Sequence, residues 1–444
     1  MSWFRKFAAT AVVAVVGLIA GCGSDSSSSN TNVRLLNLDS EVPSMDMVVG
    51  GNSVNSAIAF RAVGNYGVIE AGGKTIQTQR TGSTTPLFSI APNLAGDQHY
   101  SIITYLSGGV ATPAVLQEDQ STPGTGQSAL QIMNLAPDAG SLDVYLTGAN
   151  DSLNGLAATF SSVGGTQRSG FKNLSPNKYR VRVVGYNKKG EDVRLDIPEI
   201  TLADNAVATL ILTTQGGLLV DGLLMPQQGT TVSAFASNVA RVRVIAGVSG
   251  NGTGVVTTLD GKPVGGVVDA AGAPSGSSVG LSISGYSLVT PGAGVVISNV
   301  TPSGGATLPA TCQAPCGTAI KSGGDYTILV WGTPAAPSYR VITDDNRLPS
   351  DGVSAKLRLL NGLDNPSTAL SLALDSRVYA NNIVPGTVSS YSTVAASTGS
   401  TVDLVTSGLQ TVFSKTDQKI VAKGIYTMYV LGSDPKAALF VQDR

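Results

Sequence analysis

Ala129–Leu146 reads A-L-Q-I-M-N-L-A-P-D-A-G-S-L-D-V-Y-L, and much of the chain repeats it. Gln131-Ile132-Met133-Asn134 ends one strand. Ala136-Pro137-Asp138-Ala139-Gly140 carries turn chemistry: proline fixes φ, and Asp and Gly favour turn positions. Leu142-Asp143-Val144-Tyr145-Leu146 alternates apolar with polar or amphipathic side chains, the pattern of a half-buried strand.

Weaker copies stand elsewhere. Arg34-Leu35-Leu36-Asn37, Arg243-Val244-Ile245-Ala246 and Arg358-Leu359-Leu360-Asn361 align with Gln131–Asn134. Their fourth positions, 37, 134, 246 and 361, lie 97, 112 and 115 residues apart. A closing motif follows in order: Gly96-Asp97-Gln98-His99-Tyr100, then Ala206-Val207-Ala208-Thr209, Gly324-Asp325-Tyr326-Thr327 and Gly424-Ile425-Tyr426-Thr427. A last apolar strand comes after each. Solenoid repeats run roughly 20–50 residues, whereas about 100 residues is the size of a domain with its own core. The spacing predicts an all-β chain of four tandem immunoglobulin-like β-sandwich domains, with about seven short strands each.

Ala136-Pro137-Asp138-Ala139 followed by Leu142-Asp143-Val144-Tyr145 resembles the opening signature of a bacterial family. That family is a β-rich extracytoplasmic domain of unknown function, often tandem in secreted and lipid-anchored proteins. The closing Gly-x-Tyr-Thr is similar to the family's too. The first copy keeps Pro43 and Asp46 in a looser turn. The third and fourth depart further, with Gly247-Val248-Ser249-Gly250 and Leu363-Asp364-Asn365-Pro366 in place of the turn. The resemblance implies fold and location, and no activity.

Residues 1–21 read as a signal peptide. Arg5 and Lys6 give a positive start, and Phe7–Ile19 is an apolar run too short for a spanning helix, which needs about 20 residues. Ile19-Ala20-Gly21-Cys22 resembles the lipobox of bacterial lipoproteins, which implies cleavage before Cys22 and acylation of its thiol. Gly23 is not the acidic residue associated with inner-membrane retention, so the resemblance favours the outer membrane. The leader's loss leaves 26 basic against 29 acidic residues. No clustered basic patch calls for nucleic acid. Ser-rich 22–31 reads as a lipidated flexible tether.

The expected domains are 32–119, 129–225, 239–345 and 355–444. Between them lie Q-S-T-P-G-T-G-Q-S at 120–128, the stretch 226–238, where Phe235 is free to pack, and 346–354 with Pro349-Ser350-Asp351-Gly352. Polar linkers with Pro and Gly bury little, so the sequence predicts a row of semi-independent beads. Gly247–Gly280 is rich in small residues and predicts long loops or irregular hairpins.

After the leader two further cysteines remain, Cys312 and Cys316. In an exported chain that pair favours a small disulfide loop, since zinc would need more Cys or His ligands than a chain with one histidine supplies. His99 is therefore the one imidazole base available, and its place at a strand start reads as a solvated or half-packed histidine. Gly72-Gly73-Lys74-Thr75 lacks the first glycine of a phosphate loop and reads as a hairpin turn. The acidic pairs Glu118-Asp119, Glu191-Asp192 and Asp344-Asp345 read as solvated charges at strand ends; a glycosidase pair would need a shared cleft. Asp344-Asp345-Asn346 lacks the twelve-residue calcium-loop pattern. Tyr145, Tyr179, Tyr326 and Tyr426 read as core or half-buried.

The sequence therefore predicts no catalytic residue, cofactor or metal. The expected protein is a non-catalytic envelope lipoprotein that displays tandem β-domains for adhesion, envelope structure or partner binding. It is held to the membrane by its lipid, and an envelope protein or a glycan is the expected partner class. A glycan- or small-ligand-binding module that uses loops at a sandwich end is the alternative. A carboxylate-dependent hydrolase is the remote one.

Overall fold

The computed structural model describes residues 29–444 apart from 189–191, 215, 250–253, 270–281, 293, 302–304, 315, 317–318 and 409. Among the described residues the chain is all-β, with no α-helix. Four sandwiches follow one another. Their opening strands are Asn30–Leu38, Ser128–Leu135, Ala240–Val248 and Ser354–Leu363. Their closing strands are His99–Ser107, Val207–Thr214, Asp325–Thr333 and Ile425–Gly432. In every copy the opening strand runs parallel to the closing one, with Arg34 opposite Ser101, Gln131 opposite Thr209, Arg243 opposite Thr327 and Arg358 opposite Thr427. These registers align the opening and closing strands of the four copies residue by residue.

Each sandwich uses eight strand positions, one more than the spacing suggests. The extra one is the fourth, split into two short pieces that both pair with the opening strand. The facing four-stranded sheet carries the second strand, Ser44–Val49, Leu142–Thr147, Gly254–Leu259 or Leu370–Leu374. Alternating residues such as Leu130, Ile132, Leu142 and Val144 fill the space between the two sheets. Expected strand Tyr179–Val183 falls inside Asn177–Gly185.

The repeated asparagine has a physical task. Asn134 donates to the Gly140 and Val163 carbonyls at 3.0 and 2.9 Å and accepts from the Ala136 N–H at 2.9 Å. It is buried, and it ties the end of the opening strand to the turn and the opposite sheet. Asn37 and Asn361 do the same. A buried amide with its groups satisfied fixes local geometry that apolar packing alone leaves loose. The third copy has Ala246 there, which is where its turn sequence departs most. The closing tyrosines also act on backbone: the hydroxyls of Tyr326 and Tyr426 each accept an N–H five residues upstream, Lys321 and Val421, at 2.8 Å.

The bead expectation is overturned. Leu36, Leu38, Ile103 and Tyr105 of the first sandwich share one apolar cluster with Met133, Leu135, Ile211 and Met225 of the second. Ile245, Leu329 and Trp331 of the third likewise cluster with Leu360, Tyr429 and Leu431 of the fourth. The opening-strand sheets thus pack back to back, and each pair is a stack of four sheets. The reason lies in the opening strands, which bury both faces: every residue of Ser128–Leu135 is buried. Neighbouring apolar residues such as Leu35-Leu36 and Leu359-Leu360 serve two cores at once, as strands covered on both sides do. In the C-terminal pair the backbones come close because glycine permits it. A Cβ on Gly247 would lie 2.9 Å from a Leu431 methyl and 3.1 Å from the Gly362 carbonyl.

The linkers are also engaged. Ser233–Phe235 adds a strand to the second sandwich, and Phe235 packs on its core. Gln228 and Gly229 turn back to the first sandwich, bonding Glu118 and Arg34. In 346–354, Asn346 is buried, the Leu348 N–H donates to Asp138 at 2.7 Å, and Arg347 meets Glu41 at 3.2 Å. Gln120–Gln127, by contrast, lies almost wholly exposed.

Candidate functional site

The acidic strand-end pairs are the main correction to the sequence reading. Glu118 and Asp344 are buried, not solvated. Glu118 grips Arg34 through two hydrogen bonds of 3.1 and 2.6 Å, and Tyr66 donates to it at 2.8 Å. Asp344 accepts from Arg358 at 2.8 Å, from Thr327 at 2.6 Å and from Tyr286 at 2.8 Å. Asp443, the matching residue of the fourth sandwich, accepts from Arg243 at 3.0 Å and from Tyr429 and Thr427 at 2.5 Å. In the C-terminal pair the ion pairs are therefore exchanged: each sandwich's arginine meets the other's acid. In the first sandwich Arg34 meets its own Glu118. The second has Gln131 in the arginine's place, bonded to Thr209 at 2.9 Å, and its Asp221 pairs with Arg61 of the first. The sequence signal for this was the repeated arginine in a buried strand, which must find a carboxylate.

An aromatic residue recurs beside these groups. Arg34 lies 4.4 Å from the Tyr66 ring centre, Arg243 4.9 Å from Tyr286 and Arg358 4.6 Å from Tyr391, all within cation–π range. Phe171 holds the same register place in the second sandwich. Burial, then nearby carboxylates, push the Tyr286 hydroxyl's pKa well above its usual range.

Each pair also forms a cleft at this spot, between the last strand of its first member and the opening strand of its second. The C-terminal cleft encloses about 610 Å³ and is lined by Thr343, Asp345, Lys356, Arg358, Ser390 and Tyr391, with the linker and the Gly108-Gly109 turn along its rim. The N-terminal cleft, about 420 Å³, is lined by Gln117, Asp119, Gln131, Arg168 and Phe171. Register makes the two equivalent: Gln117 matches Thr343, Asp119 matches Asp345, Gln131 matches Arg358 and Phe171 matches Tyr391. Asp345 accepts from Lys356 and Arg347, both at 2.9 Å. Burial works to raise its pKa, but these two bonds outweigh it and hold the carboxyl low.

The other sequence-selected residues fall elsewhere. Cys22 and Glu191 lie outside the described residues. The Cα atoms of Cys312 and Cys316 stand 6.0 Å apart, within the span a disulfide bridges. Peptide mass spectrometry of unreduced protein is expected to find that segment two hydrogens lighter than its dithiol form; two alkylatable thiols in freshly isolated protein would exclude the bridge. His99 is half-buried at its strand start, 2.9 Å from Asp119 and edge-on to Tyr66. Asp192 pairs with Arg194. Gly72-Gly73 pairs with Asn93-Leu94 as a short ladder instead of a hairpin turn. Asp344, Asp345 and Asn346 face cations and amide or hydroxyl donors, and among the described residues no group of three or more His, Cys, Asp or Glu side chains could hold a metal ion. Tyr145, Tyr326 and Tyr426 are buried, and Tyr179 is half-buried.

Asp138, from the signature turn, is 1% exposed at the junction between the two pairs. Its Oδ1 takes the Leu348 N–H, while Oδ2 has no partner. Desolvation raises its pKa above 3.8, against the opposing pull of the Leu348 bond and of Arg444, Lys356 and Arg347. A raised folded pKa means the folded state binds the proton more readily, so stability from this group grows as pH falls through that value and is lost as pH rises through it. Wild type is therefore expected to gain stability relative to Asp138→Asn between neutral pH and the ordinary carboxyl range. Denaturant unfolding of both proteins at pH 7 and pH 4 measures it; a constant difference would refute the assignment.

The profile of a domain of unknown function (DUF4397) matches residues 31–145, spanning the first sandwich, the first linker, and the opening strand, turn and most of the second strand of the second sandwich. No curated protein matches the chain. Among solved structures, a candidate cell adhesion protein from Bacteroides uniformis ATCC 8492 is 13% identical with a TM-score of 0.24, covering 50% of this chain and 99% of its own. Another from Bacteroides eggerthii DSM 20697 is 13% identical with a TM-score of 0.23, covering 51% and 98%. A streptococcal virulence factor that binds alpha-glucan is 8% identical with a TM-score of 0.17, covering 46% and 97%.

Proposed function

We propose that this is a non-catalytic cell-envelope lipoprotein that displays two rigid pairs of β-sandwiches for adhesion, envelope structure or contact with a partner. One observation supports the reading above the rest: each pair is joined by a continuous apolar seam. In the C-terminal pair, buried ion pairs exchanged between the sandwiches add to it. A hinged row of domains would search for a partner; a fused pair offers a preformed surface, which lowers the ordering cost of binding. The units 32–119, 129–225, 239–345 and 355–444 then work two by two.

Residues 1–21 serve in this reading as the export leader, Cys22 as the acylated residue and 22–31 as the tether that lifts the first pair off an outer membrane. Among the described residues no helix is long and apolar enough to cross a membrane; in this reading the lipid supplies the attachment. A single acyl chain binds only marginally, and each buried CH₂ adds about 0.8 kcal/mol, so several chains are needed for stable anchoring. Cys22→Ser is expected to abolish fatty-acid labelling and move the protein from the membrane fraction to the soluble one. Membrane association unchanged in that variant would overturn the anchor. Digestion of intact cells with an added protease then reports whether the pairs face outward.

A further inference from the structure

We propose that the two junction clefts are carbohydrate-binding sites, each taking an uncharged run of sugar hydroxyls. The inference goes beyond envelope display and does not depend on how the chain is anchored.

The first argument is charge. Arg347, Lys356 and Arg358 line or border the C-terminal cleft, and each already meets a carboxylate: Asp345 with Glu41, Asp345 again, and Asp344. An anionic ligand would have to displace one of these internal acids. A hydroxyl does not; it adds to carboxylate lone pairs and guanidinium N–H groups that one partner leaves over. The N-terminal cleft carries both signs of charge, Arg168 and an Asp119 already bonded to His99, and fills the remaining wall with the amides of Gln117, Gln120 and Gln131. Amides and paired ions offer donors and acceptors side by side, and a sugar hydroxyl is both at once.

The second argument is the ring. Phe171 and Tyr391 are half-buried, yet neither belongs to an apolar core cluster among the described residues. Each stands in a polar cleft at the same register place. A flat apolar face beside convergent hydrogen-bonding groups suits the C–H face of a pyranose ring together with its equatorial hydroxyls. The third argument is repetition. The surrounding residues differ, Gln131 for Arg358 and Gln117 for Thr343, but the cleft and its ring persist in both pairs. The volumes fall in the roughly 300–1,000 Å³ range of small-ligand sites, and two sites on one chain would add avidity toward a polymer.

The test uses the mature chain bearing Cys22→Ser, titrated calorimetrically with maltoheptaose, cellohexaose and N-acetylchitohexaose. A heparin octasaccharide and tripolyphosphate serve as charged competitors. At least one neutral oligosaccharide is expected to bind with two equivalents per chain. Phe171→Ala and Tyr391→Ala should each remove one equivalent, or weaken it about tenfold as truncation of a central contact does. Gln120→Trp and Ser390→Trp, at exposed rim positions, should do the same by obstruction while leaving the melting temperature unchanged. Binding by the charged compounds alone, no binding by any of the three neutral ones, or a stoichiometry that ignores all four substitutions would overturn the proposal.

Discussion

Arg358→Ala is expected to destabilise the C-terminal pair by about 3–5 kcal/mol, the range for breaking a buried ion pair from one side. Arg358 and Asp344 are almost fully shielded, with side-chain exposures of 2% and 0%. Truncating the arginine leaves Asp344 charged between two sheets, with only Thr327 and Tyr286 to donate to it. The double variant Arg358→Met/Asp344→Leu removes both charges and should recover most of the loss, because replacing a buried pair by apolar groups is often neutral or better. Arg180→Ala is the control. Its partner Asp196 is as exposed as itself, at 31%, and solvent screening holds such pairs to roughly 0–1 kcal/mol. Urea unfolding of the four proteins decides the matter. Equal shifts for Arg358→Ala and Arg180→Ala would mean the exchanged pairs do not hold the sandwiches together.

Tyr429→Ala should be comparably damaging, at about 3–5 kcal/mol for truncating a buried aromatic side chain. The ring is fully buried in the seam between the third and fourth sandwiches, and its hydroxyl donates to Asp443 at 2.5 Å. Tyr429→Phe keeps the ring and loses only that bond, so it should cost about 1–3 kcal/mol. The seam carries its own reporter. Apart from Trp3, Trp331 is the chain's single tryptophan, and it lies 8% exposed in the same cluster. Its emission should shift to the red at lower urea in Tyr429→Ala than in wild type. A seam that opened without any change in Trp331 emission would contradict the packing described.

The strand pattern was legible because its physics is local. Asn134 ends a strand, Pro137 and Gly140 bend the chain, and Val144 and Tyr145 alternate between two environments. The pairing of sandwiches was less legible. Its signal was present in Leu35-Leu36 and Ile132-Met133, where adjacent apolar residues deny the strand a wet face, but alternation elsewhere made one core per domain look sufficient. The acids were misread for a related reason. Asp344 and Glu118 stand beside linkers, where solvent is the usual neighbour, and only three-dimensional register shows that each is placed opposite an arginine near the middle of a stack. The clefts could not be read at all. Phe171 and Tyr391 align only once the split fourth strand is known, and their cleft walls come from separate domains.

The seam glycines bear on how the chain assembles. A polypeptide holding four look-alike units risks docking the wrong two, a known failure of multidomain and repeat chains. The two seams differ at their centres. The N-terminal one is filled by Leu38 and Leu135, while the corresponding places in the C-terminal one are Gly247 and Gly362, into which Leu431 fits. A leucine-bearing opening strand set against the third or fourth sandwich would collide with Leu431 or hold the sheets apart. Two glycine-bearing strands set against the first would leave a void. Shape thus favours neighbours over strangers as the units are synthesised one after another, so the order of synthesis and the fit of the seams select the same partners.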